Sequence, residues 1–256
     1  SGALVVGSVV DTVLKAGLHQ LRSGDARLEE LDPGRLFEGA WDAELASTGD
    51  VPVTWGAKGA DAARKTALAL VTQYLSREDI LDLARRLDLD VRFELPLVDD
   101  DLDVHVPQVR LVGILDAMEE LPDGRRHPLD WKTSASRSGY DDETLQFRTL
   151  QGPLYVWATA RTLGEGASTR MTYHVGIKTA KPTWREIDVD MPHDVQQRAL
   201  RTVDAIFHAM MAGHVYAQPS FLCGSCSHRE ACKAATGVGM RMQIDAFAKA
   251  IVRTCA

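Results

Sequence analysis

The chain has only four cysteines in 256 residues, and three of them fall between positions 223 and 232. That is not the dispersed framework of a disulfide-stapled secreted domain; a local trio reads as a metal-binding cluster in a reducing compartment. No apolar run approaches the ~20 residues needed to cross a bilayer. The opening stretch SGALVVGSVV lacks the basic start and long apolar segment of a secretion signal, so a cytoplasmic protein without membrane association is expected. The chain opens on Ser1-Gly2 without a Met, which reads as a tag remnant or a trimmed start. There is no H-E-x-x-H pair and no Walker A loop, so neither zincin-type hydrolysis nor ATP hydrolysis is encoded here. An excess of positive charge is also missing: 29 Lys and Arg face 36 Asp and Glu, a net charge of −7. This argues against a uniformly basic nucleic-acid binder, but not against a local cationic groove beside metal-binding carboxylates. No internal repeat or low-complexity segment is present.

Hydrophobic residues make up 45% and charged residues 25% of the chain, ordinary for a globular protein long enough to bury a core. Apolar spacing predicts helices over 3–22 and 57–76, and another over 77–88 capped by Ser76. The pattern then turns to strands: 91–98, 109–121 and 127–134, the last two joined by the turn PDGRR. A helix is expected over 141–163, a strand pair over 169–179 and 183–191, and helices over 192–212 and 237–253. This order predicts an α/β fold with a central mixed sheet flanked by helices. The segments read as an N-terminal helix of the core (1–24), a helical insert (25–88), the main α/β core (89–218), and a cysteine-rich region with a terminal helix (219–256).

The residues with chemistry sit on the central hairpin. Asp116 lies on one strand, Asp130 and Lys132 on the next. Side chains two apart on a strand share a face, so Asp130 and Lys132 point the same way and Asp116 can sit beside them across the hairpin. Two carboxylates suit Mg²⁺ or Mn²⁺. A lysine beside them can orient a water or neutralise charge on a phosphate. An isolated D-x-K also occurs as plain surface chemistry, so the neighbouring residues matter. Further on, Cys223, Cys226 and Cys232 form C-x₂-C-x₅-C, a set suited to zinc or an iron–sulfur cluster. The fourth ligand is open among Cys255, His228 and a residue preceding this chain.

The stretch GILDAMEELPDGRRHPLDWKTS, with G-x-x-D followed by D-x-K-T-S, resembles the RecB-like branch of the PD-(D/E)XK nucleases. That group includes helicase-associated, phage and CRISPR-adaptation nucleases. Gly113 and Asp116 match its first motif; Asp130, Lys132 and Thr133 match its second. Gln151 and Tyr155 match its Q-x-x-x-Y helix, whose members lie beside the active site, contacting DNA or supporting the lysine. The resemblance implies a restriction-endonuclease-like core and a metal held by Asp116, Asp130 and the backbone carbonyl of Trp131. Where the family often carries G-x-x-x-H in an early helix, this chain has Gly7 and Asp11, with Asp11 in the histidine's place. Glu94 is a weaker acidic candidate. Several members carry a [4Fe–4S] cluster held by three late cysteines and one early one. The early cysteine is absent here; by that resemblance Cys255, returned by a final helix, or a residue preceding this chain would stand in its place. The resemblance covers residues 91–235 well and 5–15 weakly.

The expectation is a Mg²⁺- or Mn²⁺-dependent deoxyribonuclease. Family analogy suggests an exonuclease acting on single- or double-stranded DNA ends in recombination, repair or CRISPR adaptation, with a recombination, helicase or integrase partner. Arg125, Arg126, Arg137, Arg148, Lys178, Lys181 and Arg185 are candidates for phosphate contacts. Trp131 and Tyr140 are candidates for base stacking, although core packing is the commoner fate of aromatics. Two alternatives stand beside the nuclease: a DNA-binding module that keeps the fold and cluster without cleavage, and a zinc-stabilised interaction domain.

Overall fold

α1 (Gly2–Ser23) places Val6, Val9, Val10, Val13, Leu14, Gly17, Leu18 and Leu21 on one buried stripe, the three- and four-residue spacing of a core helix. It stops at Gly24, whose φ of 76° is the left-handed conformation that glycine adopts freely at a helix end. By length and hydropathy α1 could span a bilayer; in this fold its apolar stripe is core. The computed structural model describes residues 1–50, 52–136, 140–147 and 149–213. The expected terminal helix over 237–253 lies outside them.

Three helices cover α1. In α2 (Pro33–Ser47), the Asp32 side chain accepts the Arg35 N–H and Pro33 occupies the first turn, where its missing donor costs nothing. α3 (Gly59–Leu75) and α4 (Ile80–Arg86) follow. The helix expected from Ser76 begins later. Ser76 instead closes α3, its N–H bonding to the Thr72 carbonyl at 3.0 Å. Arg77 then pairs with Asp79 inside the intervening turn, and residues 87–88 already belong to a strand. Phe37 and Trp41 of α2, Val71 and Tyr74 of α3, and Ile80 and Leu83 of α4 share one core with α1 and with Ala117, Leu129 and Trp131 of the sheet.

The five strands are β1 (Leu87–Asp99), β2 (Val104–Glu120), β3 (Arg126–Ser134), β4 (Arg170–Ile177) and β5 (Thr183–Asp190). They lie in sequence order, antiparallel except for the parallel β3–β4 pair. This is the predicted mixed α/β sheet. The crossover between the parallel strands is longer than a hairpin can supply. It carries α5 (Asp142–Phe147) and α6 (Gln151–Leu163), two helices where the sequence suggested one. The new start at Gln151 makes Pro153 the third residue of α6, in the first turn, where no intrahelical N–H is needed. Val156 of α6 and Leu145 of α5 cover Met171, Tyr173 and Val175 on one sheet face. The opposite face carries the α1 core.

Pairing along the sheet is uneven. β2 pairs with β1 from Val104 to Glu119 but with β3 only from Ala117 to Glu120. Past the Ala117–Leu129 pair, β2 and β3 part. The loop joining β1 to β2 is fixed by Asp99, which is buried and accepts the Leu102 N–H at 3.1 Å and the Trp157 indole N–H at 2.6 Å.

The chain divides into two compact units, residues 1–199 and 200–256. α7 (His193–Met211) begins in the first. Within the second, Asp204 and His208 pair one turn apart on α7 at 3.1 Å.

Trp157→Phe strips a buried carboxylate of its donor and leaves a small cavity where the larger indole packed. We expect a loss of about 1–3 kcal/mol in urea unfolding. No change in midpoint would show that the Asp99 contact contributes nothing to the fold.

Candidate active site

Asp116 and Asp130 are the first residues beyond the last β2–β3 pair, so they face each other at the mouth of the split. The Trp131 N–H, which has no β2 carbonyl to meet there, donates to Asp116 Oδ2 at 3.2 Å. Asp130 is 1% exposed, and its oxygens lie 2.8 and 2.6 Å from Lys132 Nζ. The period of two along β3 thus brings Asp130 and Lys132 to one face, as expected. Trp131 points the other way, into the core, edge-on to Tyr74; the ring packs as structure and is not a free stacking platform.

α1 brings a second cation. Lys15 Nζ lies 3.0 Å from Asp11, 2.9 Å from Asp90 and 3.1 Å from Asp116. Asp11 therefore reaches the site through Lys15, while its Oδ1 is buried with no hydrogen-bond partner. Asp90, the third carboxylate, sits at a φ of 51°, a conformation that Asp tolerates better than most residues.

Burial first, then the neighbouring Asp116, pushes the Asp11 carboxyl above the usual range. Burial likewise raises Asp130; Lys132 opposes the rise and Asp116 adds to it. Burial works to lower the two lysines, but the carboxylates outweigh it and hold both Lys15 and Lys132 above the usual lysine value. Both ammoniums therefore stay charged near neutral pH; Asp130 Oδ2 lies 2.6 Å from Lys132 Nζ but, like Asp11 Oδ1, is buried without a hydrogen bond. Among the described residues no three His, Cys, Asp or Glu side chains form a ready cation cage.

Gln151 and Tyr155 stand one turn apart on α6, with Gln151 Nε2 donating to the Tyr155 hydroxyl at 3.1 Å. That hydroxyl donates to the Ile114 carbonyl at 2.9 Å. Ile114 belongs to the part of β2 that has left β3, two residues before Asp116. The pair thus ties the free edge of β2 to α6. Gly113 explains itself nearby: Phe93 lies opposite on β1, and a Cβ at 113 would run into its ring. Phe93 in turn meets Tyr155 edge-on, with centroids 6.1 Å apart.

Other sequence candidates fall elsewhere. Glu94 pairs with Arg110 at 2.5 Å on the exposed hairpin surface. Arg125 pairs with Asp123 and Arg126 with Asp88, so neither is an unengaged phosphate contact. Tyr140 is half-buried beside Lys132 and Asp130. Arg137, Arg148, Cys223, Cys226, His228, Cys232 and Cys255 lie outside the described residues. Sequence reasoning missed Lys15 and Asp90. The i,i+4 spacing of Asp11 and Lys15 was the available signal for the first; nothing local marks Asp90.

A carboxylate–lysine cluster on a split mixed sheet, with helices on both faces, defines a restriction-endonuclease-like α/β domain. Residues 2–233 match the PD-(D/E)XK nuclease superfamily, and the chain belongs to that superfamily. A crystal structure of a "Putative exonuclease" from Eubacterium rectale is similar in fold, with a TM-score of 0.50 and 18% identity over 89% of this chain and 74% of that one. The crystal structure of SSO0001 aligns with a TM-score of 0.39 and 15% identity over 88% of this chain and 84% of that one. No curated protein matches this chain.

Tyr155→Phe removes the hydroxyl between Gln151 and Ile114. It should cost about 0.5–1.5 kcal/mol, and hydrogen exchange should accelerate in β2 ahead of Asp116. Unchanged exchange there would rule out the tether.

Proposed function

We propose that this nuclease-superfamily chain hydrolyses DNA phosphodiester bonds with Mg²⁺ or Mn²⁺, as an exonuclease on strand ends. One observation carries the reading: Asp116 and Asp130 meet at the strand split with Lys132 on Asp130. The donor set fits the ion. Mg²⁺ is usually bound by one or two carboxylates plus water and phosphate, and rarely by an all-protein cage. A buried carboxylate, Asp130, beside the part-buried Asp116 is also a mutually repelling pair that a divalent cation would relieve. Asp116 and Asp130 would hold it. The carbonyl of Trp131 leaves β3 on the same edge as its N–H, which faces Asp116; it and Asp11 are the supplementary ligands. A cation bound there supplies charge for the phosphate oxygens and a more acidic water. Lys132, held protonated by its carboxylate neighbours, acts as a fixed positive charge beside the phosphate and not as a base. Gln151 and Tyr155 are positioning residues, since they hold the strand that carries Asp116.

The same reading includes a [4Fe–4S] cluster on Cys223, Cys226 and Cys232, with Cys255 as fourth ligand, supported by the C-x₂-C-x₅-C spacing and the reducing, cytoplasmic setting it suits. Recombination, repair or CRISPR adaptation, with a helicase or integrase partner, is the context that family likeness suggests. The alternative is a DNA-binding module that no longer cleaves. What favours it is that Lys15, Lys132 and the Trp131 N–H already hold both Asp116 oxygens and Asp130 Oδ1 by hydrogen bonds.

End-labelled single- and double-stranded DNA with Mn²⁺ or Mg²⁺ separates the two. Cleavage that falls by about 100- to 1,000-fold in Lys132→Ala and is lost in Asp116→Ala supports the nuclease. Metal-independent binding without cleavage supports the module.

Metal binding should also depend on pH in a defined direction. Asp11 and Asp130 hold their protons to higher pH than free carboxylates, so protons compete with the cation under mildly acidic conditions. Mn²⁺ affinity should therefore rise between about pH 5.5 and 8, where ordinary carboxylates near pKa 4 are already ionised. A flat titration over that range would overturn the proposed ligand set.

A further inference from the structure

The groove in the first unit with the clearest charge bias lies toward the start of α1. It encloses about 760 Å³ and is lined by Gly2, Ala3 and Val6 of α1, Trp55, the first turns of α3, and Ala135 and Lys178 beyond β3 and β4. In a chain of net charge −7, its lining contains Lys58, Lys65 and Lys178 and, among the described residues, no carboxylate. None of the three pairs with a carboxylate among the described residues. Arg64, next to Lys65, points elsewhere and binds Glu38. Lys178 donates to Thr133 Oγ1 at 3.1 Å, and burial alone lowers its pKa, with no anion holding it up. Cations that protein carboxylates leave unmatched are what a phosphate backbone needs.

The groove is also placed to continue the candidate active site. α1 joins the two. Asp11 and Lys15 stand at the carboxylates, Gly7 lies against Thr133, and Ala3 and Gly2 line the groove. Ala3 and Asp11 are eight residues apart, about 12 Å along a helix. That is roughly three or four phosphates at the ~3.4 Å per-strand rise of DNA. The lining of the groove itself is mostly glycine and alanine, which lets a backbone approach closely. A volume of about 760 Å³ is that of a small-ligand pocket and would not enclose a duplex.

We propose that this groove carries one unpaired DNA strand away from the cleavage site, with Lys58, Lys65 and Lys178 on successive phosphates. The inference rests on the nuclease reading for its substrate and makes that substrate single-stranded at the point of cleavage. It commits to a nucleic-acid strand on the strength of charge complementarity.

The test uses the full chain with Lys58→Glu and Lys65→Glu combined. Both side chains are exposed, so folding should be unaffected, and circular dichroism checks this. Binding of a fluorescent oligothymidylate without divalent metal should weaken at least tenfold. The slope of log affinity against log salt for the corresponding double alanine variant should fall by about 1.4, at ~0.7 per phosphate contact on single strands. Affinity for a blunt duplex of equal length should change less than twofold. Hydrolysis of thymidine 5′-(p-nitrophenyl phosphate), too short to reach the lysines, should be unchanged. Unaltered oligothymidylate binding overturns the groove assignment even where cleavage is intact. An equal loss on duplex overturns the single-strand assignment. Lysine-dependent oligothymidylate binding by a protein that hydrolyses neither DNA nor the ester would keep the groove and refute the nuclease reading.

Discussion

Two carboxylates are held side by side at the point where β2 and β3 part. Unit charges ~4 Å apart repel by about 4 kcal/mol at an effective dielectric near 20, and burying one of them adds to the cost. The fold meets this with two lysines from different elements. Lys132 comes from Asp130's own strand and Lys15 from α1. The Trp131 N–H, freed when the ladder ends, supplies the remaining donor. If β2 stayed zipped to β3 past Ala117, ladder carbonyls would take that N–H and the split would close.

The rest of the first unit follows from keeping that split open. Beyond it β2 has lost one neighbour, and its exposed backbone needs partners. Tyr155 takes the Ile114 carbonyl, and Gln151 orients the hydroxyl. Phe93 over Gly113 fills the space between β1 and α6. α1 is clamped under α2 and α3 by the shared core, so Asp11 and Lys15 reach Asp116 from a rigid helix. Rigid elements hold charged groups to tighter geometry than loops do.

Lys15 has a double effect on the proposed chemistry. It stabilises three carboxylates in the absence of a divalent cation, and it also occupies Asp116 Oδ1. A cation that binds Asp116 must share that oxygen with it or displace it. The strength of this competition separates an active nuclease from a binding module more directly than the fold does, because both would keep the same sheet.

The amino-acid sequence by itself determined the order and type of most elements, because periodicity and turn chemistry are local. The strands over 91–98 and 127–134 and the shared face of Asp130 and Lys132 were legible for that reason. So was the pairing of Gln151 with Tyr155 one helical turn apart. Local rules misplaced the start of α4 and the break between α5 and α6, where the Arg77–Asp79 pair and Pro153's need for a first turn decided the outcome. Only the tertiary structure decided that β2 leaves β3 at Ala117, that Lys15 and Asp90 join Asp116, and that three lysines without carboxylate partners among the described residues line one groove. Lys15 and Asp116 are 101 positions apart in sequence. No local pattern encodes which charges will meet, because that is set by how α1 packs against the sheet.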